Sequence, residues 1–230
     1  MNKMKTLITT IIVLLSIAAC SNAQNDNKMK QKNVQHDNIR KFDVLFNFEN
    51  DNQEQVPSGF STSATGNPKS IKWGVVVDNG NKAVAQQAIN SGSCYNLLVL
   101  DKVKFENFST EVKIKAVSGD EDQGGGLVWR YIDKDNYYIA RYNPLENNLR
   151  LYHVVNGSRK QLQSVDSVIK QGEWFTMAIE IKGNKIICSL NGKRLIETTD
   201  ETFKSAGLIG LWTKADAVTF FDDLAIVTIR

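Results

Sequence analysis

The chain has 230 residues, 42% of them hydrophobic and 23% charged, with 15 glycines and 3 prolines, an ordinary globular balance with enough apolar content for a sizeable core. Its formal charge is +3; Lys3 and Lys5 are the only charged residues before Cys20, so the chain without that leader carries +1. Such a balance excludes the concentrated basic surface of a nucleic-acid binder, and the length predicts one folded domain.

The first twenty residues, MNKMKTLITTIIVLLSIAAC, join a basic start to an apolar run from Leu7 to Ile17 and then to small residues before a cysteine. The run is too short and wrongly flanked for a membrane-spanning anchor and predicts an export signal over residues 1–19. Ile17-Ala18-Ala19-Cys20 resembles the bacterial lipobox, which implies acylation of Cys20 with palmitate-type chains; the alternative is an ordinary secretory signal in which the cysteine is incidental. More than one acyl chain makes a durable tether, and Ser21 after the cysteine implies passage to the outer membrane of a bacterial cell envelope. Residues 20–41 comprise that cysteine and a flexible leash rich in Asn, Gln and Lys, with too little apolar content to repay ordering. His36 falls in the leash and His153 far away, without a cysteine at ligand spacing, so no zinc site is expected.

From residue 42 to residue 230 short apolar or alternating segments recur: FDVLFNF, KWGVVVD, KAVAQQA, NLLVLD, FSTEVKIKAV, GGLVWRY, NYYIARY, NLRLYHVV, KQLQSV, WFTMAIEIK, NKIICSLN, KRLIETT, GLIGLWT and AVTFFDDLAIVTI. Turn chemistry such as NGN, DKDN, NGS, KGN and NGK separates them, and only DETFKSAG offers a turn of helix. So many strands in one domain require two packed antiparallel sheets, so the predicted fold is an all-β jelly-roll β-sandwich. Val112, Ile114 and Ala116 alternate with Glu111, Lys113 and Lys115, giving one dry and one wet face; Met177, Ile179 and Ile181 do the same against Thr176, Ala178 and Glu180. Cys94 and Cys188 sit among strand formers, which fits one disulfide and two buried free thiols equally.

The segments GGGLVWRYIDKDNYYIARYNPLENNLRLYHVVNGSRKQL (124–162), QGEWFTMAIEIKGNKIICSLNGKRLIE (171–197) and SAGLIGLWTKADAVTFFDDLAIV (205–227) resemble the concanavalin A-like lectin/glucanase superfamily. The likeness is nearest to its bacterial 3-keto-disaccharide hydrolase and laminin-G-like domains. It implies the sandwich fold over nearly everything after the leash. Of function it implies only a choice among lectins, binding modules and hydrolases.

Two arginines stand where strand residues are usually neutral. Alternation sends Leu127, Trp129 and Tyr131 one way and Gly126, Val128 and Arg130 the other; after the IDKDN turn, Tyr138, Ala140 and Tyr142 oppose Tyr137, Ile139 and Arg141. In GLIGLWTK, Ile209 and Leu211 point inward and Gly210, Trp212 and Lys214 outward, and Gly210 is expected to leave room for a flat ring to stack. Aromatic planes beside charged donors suit a sugar, which predicts a wet concave face with a floor of Arg130, Tyr137, Arg141 and Trp212 and a rim of Asn143, Glu146, Lys214 and Asp216. The competing assignment places the tryptophans in the core and pairs both arginines with carboxylates.

For catalysis, a groove needs two carboxylates across it. Glu49-Asn50-Asp51-Asn52-Gln53-Glu54 spells the Glu-x-Asp-x-x-Glu of family-sixteen glucanases, but its polar intervening residues and the following VPSGF make it a loop. Asp120, Glu121 and Asp122 read as a solvated turn, Asp222 and Asp223 as a structural pair or a calcium ligand set; no other cofactor is expected, and no nucleophile elbow or phosphate loop is present. Three functions follow in order: an envelope-anchored lipoprotein that binds a carbohydrate without catalysis, a glycoside hydrolase of the 3-keto-disaccharide type, and a structural or protein-docking module. Burial of both arginines and Trp212 favours the third.

Overall fold

A computed structural model describes residues 43–230; the leader, Cys20, His36 and the leash lie outside the described residues. Fifteen strands follow one another: β1 Val44–Phe46, β2 Phe60–Thr65, β3 Trp73–Asp78, β4 Asn81–Gln86, β5 Tyr95–Leu100, β6 Phe108–Ser118, β7 Gly125–Asp133, β8 Asn136–Asn143, β9 Asn148–Val155, β10 Ser158–Asp166, β11 Trp174–Lys182, β12 Lys185–Leu190, β13 Lys193–Thr199, β14 Leu208–Lys214 and β15 Val218–Thr228. No helix occurs among the described residues. DETFKSAG is an irregular crossing between β13 and β14, and its Phe203 packs edge-on against Tyr138 at 5.2 Å.

The strands form two antiparallel sheets. The first runs β13-β12-β11-β6-β15-β4-β3, with β1 beside β15, and the second runs β10-β9-β8-β7-β14-β5-β2. Asn79-Gly80, Asn156-Gly157 and Asn191-Gly192 all have positive φ at both residues, the two-residue turn whose twist matches that of its strands, and so they join β3 to β4, β9 to β10 and β12 to β13. β2 has no counterpart among the expected segments. Its FSTSAT is poor in apolar residues because it is a sheet edge, bonded on one side to β5.

The main core lies between the sheets. Val112, Ile114, Met177, Ile179 and Ile181 enter it from the first sheet, and Leu127, Trp129, Tyr138, Ala140, Tyr142, Ile209 and Leu211 from the second. Trp129 and Tyr138 stack at 5.5 Å. At roughly 25 cal/mol per Å² of apolar surface, these large side chains supply the main driving force for closing the sandwich. Cys94 and Cys188 are both free and buried, and burial pushes both thiols up. Gln53 bridges β3 in a parallel contact within an irregular stretch, as a loop reading of Glu49 to Glu54 requires.

Asp222 precedes a bulge in β15 and Asp223 lies within it, at φ 49. Asp223 pairs with Lys113 at 2.6 Å, while Asp222 accepts from Asn81 at 2.9 Å and from the Asp223 amide at 2.7 Å. These are turn and ion-pair roles. Among the described residues no group of three or more His, Cys, Asp or Glu is placed to hold a metal.

Candidate functional site

The outer face of the second sheet carries its own apolar cluster, made of Leu97, Val99, Val128, Tyr137, Ile139, Tyr152, Val154 and Trp212, with Tyr95, Tyr131 and Leu208 packed against it. A wet surface was expected there. The face is largely dry because the sheet curls over it. Thr65 Oγ1 in edge strand β2 lies 2.8 Å from the Tyr137 hydroxyl in β8, although four strand spacings, about 19 Å in a flat sheet, separate the two strands. Ser63 in β2 meets the Tyr131 hydroxyl in β7 at 3.1 Å. From the other edge, Arg159 in β10 places its guanidinium 4.4 Å from the Tyr152 ring, 5.1 Å from Tyr95 and 5.7 Å from Trp212. Both edges fold toward the same side, so the face is a trough with Arg159 across it.

Tyr137, Arg141 and Trp212 stand together in this trough, as side-chain alternation requires, but Tyr137 and Trp212 are fully buried and Arg141 is 1% exposed. Arg130 is elsewhere. It sits at φ 47 in a bulge of β7, where pairing skips from Trp129 to Asp133, and donates to the carbonyls of Phe203 at 2.6 Å and Gly183 at 2.7 Å. One extra residue reverses alternation from that point, so Tyr131 joins the trough in its place and stacks on Tyr137 at 6.0 Å. The expected space beside Gly210 is also filled. A Cβ there would lie 2.5 Å from the Leu98 carbonyl, so this glycine permits close approach of β5.

The rim residues are anchored by hydrogen bonds. Arg141 Nη2 donates to Glu146 Oε2 at 2.7 Å and Nη1 to Asn148 Oδ1 at 3.2 Å, while Arg150 reaches the same Glu146 oxygen at 2.8 Å. Burial pushes the Glu146 carboxyl up, but the bonds and charges of Arg141, Asn148 and Arg150 outweigh it and hold the group below the usual carboxylate range. Asn143 accepts from the amides of Leu145 and Glu146 and donates to Asp122 at 3.0 Å, shaping the turn that presents Glu146. Asp122 also receives Lys214 at 2.9 Å. Asp216 accepts the backbone N–H groups of Asp120, Glu121 and Asp122 at 2.7 to 3.1 Å and thereby fixes the acidic loop; burial raises its pKa, and those amides more than reverse the effect. Asn143, Lys214 and Asp216 thus build one end of the trough.

Three buried polar atoms here have no hydrogen-bond partner: Arg141 Nε, Arg159 Nη1 and Trp212 Nε1. The Tyr137 hydroxyl lies beside the last of these without closing a bond of acceptable geometry. An unmade hydrogen bond on a buried donor costs about 1–3 kcal/mol. The indoles of Trp73 and Trp129 in the main core carry the same open N–H, so what distinguishes this face is the pair of open guanidinium donors on Arg141 and Arg159. Arg150, Tyr152 and Arg159 were absent from the expected site. The Asn156-Gly157 turn held the clue, because a two-residue hairpin fixes Val154 opposite Arg159 and places both on the Tyr152 side.

The fold matches solved structures at low identity. The carbohydrate-binding module CBM66 from Bacillus subtilis is 17% identical with a TM-score of 0.61, over 74% of this chain and 96% of that one. A cellulose-induced protein is 10% identical with a TM-score of 0.61, over 81% and 98%. Domain 4 of the extracellular arabinanase AbnA from Geobacillus stearothermophilus, solved with arabinotriose, is 15% identical with a TM-score of 0.52, over 81% and 91%. No curated relative matches the sequence. The model of the 3-keto-alpha-glucoside-1,2-lyase-like domain matches residues 41–227, and the chain belongs to that family, with a concanavalin A-like β-sandwich.

Proposed function

We propose that this protein binds a glycan in the trough of the second sheet, without turning it over, and that Cys20 tethers it by lipid to the outer membrane of a bacterial envelope. The observation that carries the binding reading is the convergence of the unpaired donors of Arg141, Arg159 and Trp212 on a face lined by Tyr95, Tyr131, Tyr137 and Tyr152. Sugar hydroxyls accept from such donors, while C–H faces pack on rings. Entry requires the Arg159 side chain to swing off the Tyr95, Tyr152 and Trp212 rings, a rotamer change open to a long side chain on an edge strand. The binding proteins among the structural neighbours support the same reading.

A glycan array followed by calorimetry tests it. Saturable binding with no product is expected, and Trp212→Phe, which keeps a ring but loses the indole N–H, weakens it about tenfold. Binding indifferent to that change contradicts the site. Anchoring is tested by labelled-palmitate incorporation, which Cys20→Ala abolishes.

Family membership favours a second reading, cleavage of a 3-keto glycoside. Glu146 would then be the base, since it is held ionised and its side chain is 41% exposed. Product formation abolished by Glu146→Gln would establish it. Burial of Arg130, Arg141 and Trp212 favours a docking module instead, and a protein partner with no glycan binding would establish that.

A further inference from the structure

We infer that the glycan is acidic, and that a carboxylate on it is received by Arg159 together with the Arg141–Arg150 pair; this rests on the glycan-binding reading of the trough. The unpaired guanidinium of Arg159, beside the open donor of Arg141, carries the inference. From β8 comes Arg141, from β9 Arg150 and from β10 Arg159, whereas the turn between β8 and β9 contributes the single carboxylate of Glu146, shared by Arg141 and Arg150. Arg159 makes no ion pair among the described residues and rests on three aromatic rings. Beside the Glu146 turn, Lys214 and Asp122 cancel one another. The opposite wall contributes the hydroxyls of Ser63, Thr65, Tyr131 and Tyr137. Asp166, opposite Asn148 in β10, and Asp216 at the acidic loop add further carboxylates to this face, yet none contacts Arg159, whose guanidinium stays unpaired above a dry floor.

A neutral sugar would satisfy the open N–H groups and leave the Arg159 charge without a contacting counter-charge. Holding it away from water is costly, and an anion in the same place removes the cost. The planar fork of a guanidinium matches a carboxylate, and Arg159 Nη1 and Arg141 Nε are donors without acceptors. The ligand chemistry is therefore a uronic or ulosonic residue whose ring lies on the Tyr95, Tyr152 and Trp212 side and whose carboxylate meets the arginines. Neutralisation by a sulfate ester is the other source of negative charge, and the test separates the two.

Calorimetric titration of the folded protein with galacturonate, glucuronate and mannuronate oligomers is compared with their carboxyl-reduced forms and with a sulfated neutral oligosaccharide. At least one uronate is expected to bind about tenfold or more tightly than its reduced form, with the advantage shrinking between about 0.05 and 0.5 M salt. Arg159→Gln, on the exposed edge strand, removes that advantage, and Arg159→Lys retains part of it because charge persists without the fork. Reduced forms that bind as well as the acids overturn the acidic assignment and leave the glycan reading intact. A sulfated sugar preferred over every uronate overturns the carboxylate. Failure of every saccharide, neutral or acidic, overturns both readings.

Discussion

Thr65 and Tyr137, four strands apart in the order of the second sheet, share a hydrogen bond of 2.8 Å. That contact closes the trough, because each hydroxyl belongs to a strand that would be out of reach in a flat sheet. Replacing Thr65 by Val or Tyr137 by Phe is expected to lower stability by about 1 kcal/mol each, and the double variant by less than the sum. Urea denaturation of the four proteins checks the coupling, and strict additivity refutes it.

Arg130 belongs to the scaffold. It is 3% exposed and holds two carbonyls, from the turn after β11 and from the crossing after β13. Arg130→Ala should destabilise the protein by about 3 kcal/mol, since it leaves both carbonyls and the bulge unsupported. Glycan affinity of the folded protein is expected to stay unchanged, as titration below the lowered melting temperature will show.

Acid should unfold the protein through carboxylates that the fold holds low, Asp78, Glu146 and Asp216 among them. Asp78 is held low by the Lys115 hydrogen bond, which exceeds the effect of burial, and the charges around Glu146 and the amides around Asp216 depress those two against burial. A depressed folded pKa means that the unfolded chain binds protons first as pH falls. The stability these groups contribute is complete above the unfolded values, near 3.9 for Asp and 4.3 for Glu, and drains as pH drops through the folded ones. Asp222 opposes them, because burial raises its pKa and its charge costs stability at neutral pH. Asp222→Asn should therefore stabilise at pH about 7, with the gain shrinking as pH falls toward about 4, where the aspartate is protonated in both states. Denaturation midpoints across that range measure both effects.

Both remaining thiols should be inert in the native state. Cys94 and Cys188 are 1% and 0% exposed, and a thiol reagent reacts with the thiolate, which burial disfavours. Labelling is expected only after denaturation, and fast labelling of the folded protein would contradict the packing.

The sandwich was readable because period-two alternation survives wherever strands are regular. Met177, Ile179 and Ile181, and Tyr137 against Tyr138, lie on the faces that alternation assigns. Arg130 escaped because a bulge is a one-residue event set by partners far away in sequence: Gly207 presses on its backbone and Phe203 and Gly183 accept its side chain. Dryness of the trough escaped for a related reason. Curl is a property of the whole sheet, and Ser63 and Thr65, which close it, lie on a strand too polar to announce itself. Lys214 and Asp216 have structural partners that the sequence does not announce, Asp122 and the backbone of the acidic loop.

The most direct measurement is the indole N–H spectrum of the four tryptophans during titration with the glycan. Trp73 and Trp129 lie in the main core, and Trp174 lies outside it with its N–H given to Asp78 at 3.1 Å. The Trp212 resonance should move and saturate with the ligand while that of Trp174 stays in place. A shift of Trp174 with Trp212 unmoved would place the ligand on the other sheet and contradict the trough as the binding site.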